Sequence, residues 1–388
     1  MEKKRLKIAY FVDTFYPMVD GVIVVVDNYA KRLAEYADVT VFCPLPLEKE
    51  FDDSVYNYKV VRCKSTKKKH YDYPIPNPDV DSDFQKILHE GNFDIVHIHD
   101  PFFISKDGVK YAKQNKIPVV GTLHSQYKRD FFKATKSKLL TWFAMKFILH
   151  TFNACDEVWA VNKAVAKVGK DDYKIKAPIY VYDNATDMLP VDAATAAKVV
   201  NEKFNIAENE HVLLYSGRIN VIKNILLIVD SLKLIKDAGI SFKMLFVGSG
   251  QDEEVLNAHV KELGLTDNII MAGRITDRTL LAQIYSRANL FLFPSVYDCS
   301  SLVQIEAASQ RTPTVFIRDS VTSSTATENV NCLMSENNPE SFAAAVIKAL
   351  QDEKLLHDLS ENAFRDLYVT WDSVVDKIYD KYLELAKK

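Results

Sequence analysis

Two carboxylates eight positions apart, Asp298 and Glu306, stand in and behind a hydroxyl-rich loop, Asp298-Cys299-Ser300-Ser301-Leu302, that follows the apolar run 290–293. An acid pair at that spacing is commonplace. Its place after a strand, with Pro294-Ser295 before it and Ala307-Ala308 after Glu306, is more specific. Upstream, Ser216-Gly217-Arg218 closes another apolar run, and Lys223-Asn224 opens a helical stretch. Two cations at a helix start suit a diphosphate, because free backbone N–H groups and the helix dipole add to the two full charges. The plain alternative is an Arg and a Lys on a surface turn. Gly248-Ser249-Gly250 lacks the third glycine of a dinucleotide fingerprint and is followed by Gln-Asp-Glu-Glu, acids where a pyrophosphate would meet a helix, which argues against NAD. The rim of a nucleoside pocket and a simple strand-to-helix turn both remain open for it, and Gly273-Arg274 is equally ambiguous.

The elements that must position these residues alternate. The run 6–12, a turn-like segment from Asp13 to Pro17, and helical spacing from Val22 to Leu33 before the run 39–43 read as a βαβ unit. Further strand-like runs at 95–99, 119–124, 157–161 and 179–182 make a parallel, doubly wound sheet the economical solution. Residues 183–210 change character, turn-forming and then Ala-rich, and mark a linker. A second series follows at 211–216, 242–247, 269–272, 290–293 and 314–317, with helices between. Helical segments near 339–351 and 371–387 end the chain. The expected fold class is α/β, two successive Rossmann-like domains.

At 388 residues, 48% apolar and 26% charged, the chain is long enough for two cores and too ordinary in composition for disorder or a polytopic membrane protein. Glycine is scarce, 11 residues where an average usage of about 7% predicts about 27. Even so, Gly21, Gly217, Gly248, Gly250 and Gly273 all fall at strand-end loops. The five scattered cysteines have neither a disulfide pattern nor metal-type spacing, the apolar run behind Met1-Glu2-Lys3-Lys4-Arg5 is too short for a signal peptide, and no run approaches 18 apolar residues. These features favour a cytoplasmic protein.

Taken together, Asp298-x7-Glu306 with Ser216-Gly217-Arg218 and Lys223-Asn224 resembles the signature of the family 4 retaining glycosyltransferases of the GT-B fold, with Asp for the usual first Glu. Tyr16-Pro17-Met18-Val19-Asp20-Gly21-Val22 resembles the family's donor-phosphate loop. His97, His99 and Thr122-Leu123-His124 resemble its acceptor-side strand ends, and Trp371-Asp372 the start of its crossover helix. The resemblance implies two domains facing across a cleft: 1–183 for the acceptor, 184–370 for the nucleotide sugar, and 371–388 crossing back onto the first. It implies that Arg218 and Lys223 bind the diphosphate, Glu306 the ribose, and Asp298 the sugar hydroxyls. Backbone N–H groups of Cys299, Ser300, Ser301 and Leu302 would place sugar and phosphate. His124 would lie near the sugar, Asp20 and Gly21 would approach the diphosphate, and Gly248 and Arg274 would line the donor site. Catalysis would be electrostatic, by Asp298, His124, Arg218 and Lys223, with no metal and no cofactor beyond the donor. Serine at 301, Gln310-Arg311, Ala185 and Cys332 stand where relatives often have glycine.

The resemblance is to bacterial diacylglycerol glucosyltransferases and to polysaccharide glycosyltransferases, implying a UDP-hexose donor, glucose first, and a lipid or glycan acceptor. Residues 1–180 carry 29 basic against 23 acidic residues, although the whole chain is at −3. Residues 125–150 interleave Lys128, Arg129, Lys133, Lys136, Lys138 and Lys146 with Tyr127, Phe131, Phe132, Trp142 and Phe143, a pattern suited to an anionic membrane surface at the inner face of the cell membrane. Lys64 and Lys67–Lys69, before His70-Tyr71, form a smaller cluster. The competing reading makes 139–149 a buried packing helix with solvated lysines. Nucleic acid is not expected as a partner. The alternative function is a non-catalytic, nucleotide-sugar-binding partner subunit, motivated by Asp298 and the missing glycines.

Overall fold

Apolar runs of four to seven residues, buried on both faces, are what a parallel sheet covered by helices requires, and the computed structural model contains two such sheets. It describes residues 5–18, 20–46, 51–66 and 74–387, so the Lys67–Lys69 cluster with His70-Tyr71 lies outside the described residues. The chain divides into two compact units, Met1–Asn184 with Trp371–Lys388, and Ala185–Thr370.

The first unit contains β1 (Lys7–Phe11), β2 (Asp38–Pro44), β3 (Lys59–Cys63), the short antiparallel pair β4 (Ser65–Thr66) and β5 (Ile75–Pro76), β6 (Ile95–Ile98), β7 (Val119–Leu123), β8 (Glu157–Ala160) and β9 (Ile179–Val181). Its main sheet runs β3-β2-β1-β6-β7-β8-β9, every neighbour parallel. The crossovers carry α1 (Gly21–Leu33), α2 (Ser82–Glu90), α3 (Phe103–Asn115), α4 (Tyr127–Thr135), α5 (Lys138–Asn153) and α6 (Lys163–Lys167). The start of α1 is set by Asp20, whose carboxylate accepts the Ile23 N–H at 2.9 Å.

The second unit carries α7 (Ala193–Phe204), β10 (His211–Ser216), α8 (Ile225–Asp237), β11 (Phe242–Val247), α9 (Glu253–Glu262), β12 (Ile269–Gly273), α10 (Arg278–Arg287), β13 (Leu290–Phe293), α11 (Leu302–Ser309), β14 (Thr314–Ile317), β15 (Cys332–Ser335), α12 (Pro339–Leu350) and α13 (Glu353–Leu367). The sheet order is β12-β11-β10-β13-β14-β15, again all parallel. Helix α14 (Trp371–Leu385) then returns the chain to the first unit: Trp371 meets Tyr29 edge-on at 5.7 Å, and Lys381 pairs with Glu157 at 2.9 Å.

In both sheets the first strand sits between its second and fourth neighbours in chain order. Strand order therefore reverses at β1/β6 and at β10/β13, and ligands of open α/β sheets bind outside the carboxyl ends at such a reversal. That rule selects the residues after β10 and β13 in one unit, and those after β1 and β6 in the other.

Candidate active site

The second reversal brings the loop after β10 beside the loop after β13. The segment 221–223 forms one 3-10 turn, held by Asn220, which accepts the Ile222 N–H at 2.9 Å, and by Asp252, which accepts the Val221 N–H at 2.8 Å. Asn224 follows at φ +62° and donates to the Pro294 carbonyl at 3.3 Å and to Asn337 at 2.8 Å, tying this turn to the end of β13. Across that tie the Lys223 ammonium donates to Asp298 as an ion pair, and also lies 5.2 Å from the centre of the Tyr297 ring. Ser295, fully buried, accepts the N–H groups of Tyr297 and Asp298 at 3.3 and 3.4 Å and so shapes the loop that presents Asp298. Two residues that resemblance assigned to the diphosphate and the sugar are thus direct partners.

Cys299, Ser300, Ser301 and Leu302 complete this loop, each partly exposed. Ser301 has φ −91° and its side chain does not cap α11. Serine therefore costs nothing in backbone strain here, and the N–H groups opening α11 receive no hydroxyl from it.

Glu306 is buried in the second turn of α11. Its Oε1 accepts from Arg278 at 2.9 Å and its Oε2 from the Tyr285 hydroxyl at 3.3 Å. Burial raises its pKa, opposed by the Arg278 charge and hydrogen bond. Its hydrogen bonds go to Arg278 and Tyr285, and that of Asp298 to Lys223.

Arg218 and Arg274 are exposed at the ends of β10 and β12, and among the described residues neither side chain has an acidic partner. The three strand ends are laced by main-chain bonds, Gly217 N–H to Val247 and Gly248 N–H to Gly273, at 2.9 and 2.8 Å. Gly248 has φ +134°, and a Cβ there would stand 1.9 Å from the Gly217 carbonyl oxygen; one at Gly250 would stand 2.1 Å from that of Ile219. Only glycine fits either place. The acids after Gly250 also have local work: Glu253 accepts the Gly250 N–H at 2.7 Å. They serve the turn.

In the first unit, the Asp20 carboxylate is used as the cap of α1, and Gly21 is the first residue of that helix, with open space where a Cβ would point. His124 follows β7 and is 9% exposed; burial lowers its pKa to about 3, which keeps it neutral. Its Nε2 lies 3.2 Å from His99 Nδ1. His97, beside it, contacts Thr122 at 2.6 Å through Nε2 and the Tyr382 hydroxyl of α14 through Nδ1.

Sequence reasoning missed Arg278 and Tyr285, which hold Glu306, because nothing local marks them. It also passed over Asp13 and Asp100 at the β1/β6 reversal. Asp100 accepts the Asp13 N–H at 3.2 Å, and Asp13 accepts the Ile104 N–H of α3 at 3.0 Å. Burial raises the Asp13 pKa to about 7 and that of Asp100 well above the usual carboxylate range. The available signal was an acid two residues beyond the last residue of each strand, Asp13 after β1 and Asp100 after β6.

A family model described as "Glycosyltransferase Family 4" matches residues 19–188, and one described as "Glycosyl transferases group 1" matches residues 198–366. The chain is 23% identical over 379 residues to an alpha-monoglucosyldiacylglycerol synthase of Acholeplasma laidlawii, covering 92% of each. It is also 23% identical over 323 residues to the enzyme of that name in Streptococcus pneumoniae, covering 80% of this chain and 70% of the relative. The crystal structure of Anabaena HepE in complex with UDP shares the fold with a TM-score of 0.78 at 14% identity, over 98% of this chain and 100% of that one.

Proposed function

Because the chain belongs to the glycosyltransferases, a family 4 domain followed by a group 1 domain of the GT-B fold, we propose that it moves glucose from UDP-glucose to a diacylglycerol-type lipid with retention at the anomeric carbon. The observation that carries this reading is the strand-order reversal of the second sheet, which gathers Lys223, Asp298 and the opening of α11 and leaves Arg218 exposed after β10. Arg218 and Lys223 would hold the diphosphate, Asp298 the sugar hydroxyls and Glu306 the ribose. His124 is proposed as a contact of the sugar, and Asp20 and Gly21 as the first domain's approach to phosphate. The C1–O bond to the diphosphate breaks as the acceptor oxygen bonds to C1 on the same face. The acceptor proton passes to the leaving diphosphate. The two cations stabilise the charge that develops there, so no metal is required.

The lipid acceptor is supported by the names of the two relatives and by α4 and α5. One face of α5 packs inward through Thr141, Met145, Ile148, Thr151 and Phe152, which the packing-helix reading anticipated. The other leaves Leu139, Leu140, Trp142 and Phe143 roughly half exposed or more, with the Lys146 ammonium 3.7 Å from the Trp142 ring centre. Half of this helix is therefore core, and half is an apolar ridge among cations, the form of an interfacial membrane contact. No helix among the described residues is long and apolar enough to cross a membrane.

The test is transfer from UDP-glucose, UDP-galactose, UDP-N-acetylglucosamine and GDP-mannose to diacylglycerol in anionic vesicles, with the product identified by mass spectrometry. A monoglucosyl lipid formed from UDP-glucose alone is expected. Turnover only with a soluble glycan acceptor would reject the lipid, and turnover only with GDP-mannose would reject the donor.

A further inference from the structure

Three histidines lie in line at the carboxyl ends of β6 and β7. His97 and His99 are fully buried and stack at 4.1 Å, and the His99 ring stacks toward His124 at 5.5 Å. His99 is fixed by its main-chain N–H, which donates to the Phe11 carbonyl at 2.9 Å, and by the rings of Tyr10 and Tyr29 at 5.0 and 6.0 Å. Its Nδ1 lies 3.2 Å from His124 Nε2, while its Nε2 is buried with no hydrogen-bond partner among the described residues.

One proton is shared across the 3.2 Å contact, and the unpartnered nitrogen decides its owner. If His124 donated from Nε2, a neutral His99 would carry its own proton on Nε2, a buried N–H with no acceptor. If His99 donates from Nδ1, its Nε2 is a bare lone pair. Buried donors without acceptors are the rarer defect in folded proteins. Burial lowers the pKa of both rings, so neither is a cation that could donate from both nitrogens.

We infer that His99 is a positioning residue: it donates Nδ1–H to His124 Nε2 and thereby fixes the His124 proton on Nδ1, making that atom a hydrogen-bond donor to a sugar oxygen. His124 Nδ1 has no partner among the described residues, and the side chain keeps its 9% exposure. A ring held this way offers a donor without a positive charge, and so selects a hydroxyl or ether oxygen over an anion. The sugar contact rests on the proposed function; the tautomer does not.

The test uses the full chain with ring-15N histidine, reading two-bond 15N–1H correlations in the protein alone, with His124 identified by the signals lost in His124→Gln. The expected pattern is a protonated Nδ1 and an unprotonated Nε2. A proton on Nε2 overturns the assignment. His99→Phe keeps a ring against His97 but has no donor, whereas His99→Asn returns an N–H close to the Nδ1 position. His99→Phe is expected to release the His124 proton to Nε2 and to lower kcat/KM about tenfold or more, with His99→Asn within a few-fold of wild type in both readouts. Equal tautomer and activity in all three proteins would overturn the positioning role. Absence of UDP-glucose turnover by the wild type would count against the proposed function, since the tautomer is measured without substrate.

Discussion

At the scale of single residues, the Lys223–Asp298 ion pair sets an expectation that runs against intuition. Both side chains are only 20% exposed, so each is the other's nearest counter-charge, and a diphosphate reaching Lys223 competes with Asp298. Asp298→Asn should therefore bind UDP more tightly, by roughly tenfold or ~1.4 kcal/mol, while transferring sugar more slowly. Lys223→Ala should weaken UDP and lower kcat/KM by about 100-fold or more, the range for removing one group that meets transition-state charge. Calorimetry with UDP beside steady-state rates checks both, and weaker UDP binding by Asp298→Asn would remove Lys223 from the phosphate. Cys299 gives a second handle. Four cysteines are buried and this one is partly exposed, with none in a disulfide, so one fast-labelling thiol is expected and UDP-glucose should slow its labelling. Arg278 gives a third. Without that cation the buried Glu306 carboxyl moves still further above its ordinary 4.5. A raised carboxyl adds stability that is complete below pH 4.5 and is lost as pH rises through the folded-state value. Arg278→Met should accordingly lose thermal midpoint relative to wild type as pH rises above 4.5, checked by melting curves across pH. Asp298, Lys223 and Glu306 were legible in the sequence because each sits in the loop that follows a strand or in the helix that this loop opens. Arg278 was not, since its link to Glu306 spans 28 residues and is made only by the fold.

At the scale of elements, the apolar runs were legible because strands buried on both faces need no alternation to be recognised. Helix α13 was not, having only Leu359 and Ala363 buried in 15 residues, nor were β3 and β15 at the sheet edges. The missing glycines are also explained at this scale. Positions 185, 301, 310 and 332 have no positive φ, whereas Arg311 does, at +59°. Its strain is set against a 2.9 Å contact with Glu361 and a 4.0 Å approach to the Phe364 ring. The first turn of α3 is held by Asp13, which accepts the Ile104 N–H and whose pKa burial raises to about 7. Its raised value contributes stability that is whole below about pH 4 and is lost as pH rises through 7, so the midpoint should fall from pH 5 to 8, and Asp13→Asn should flatten that slope. For α5, glutamate at both Leu139 and Phe143 should abolish flotation with anionic vesicles while leaving the thermal midpoint within about a degree, because neither side chain is core. Flotation equal to wild type would return α5 to an ordinary solvated face.

At the scale of the whole molecule, the two units give ligand binding a spatial signature. UDP should slow amide exchange at 216–224, 248–250 and 294–306 in the second unit. Protection confined to other segments would move the donor site elsewhere. The second unit is inserted into the first: the chain enters and leaves it side by side, where the Thr186 N–H donates to the Val369 carbonyl at 2.9 Å, before α14 rejoins the first sheet. That connectivity has a consequence during synthesis. His97 waits for Tyr382, 285 residues later, which at about 5–20 residues per second is some 15–60 s on the ribosome. Throughout that interval, while residues 185–370 of the second unit are being made, the first lacks the helix that covers Tyr10, His97 and Trp159. A nascent chain stopped anywhere before α14 should be recognised as unfinished by chaperones and proteases, even with its second unit complete, and pulse proteolysis of a chain truncated at Thr370 checks this.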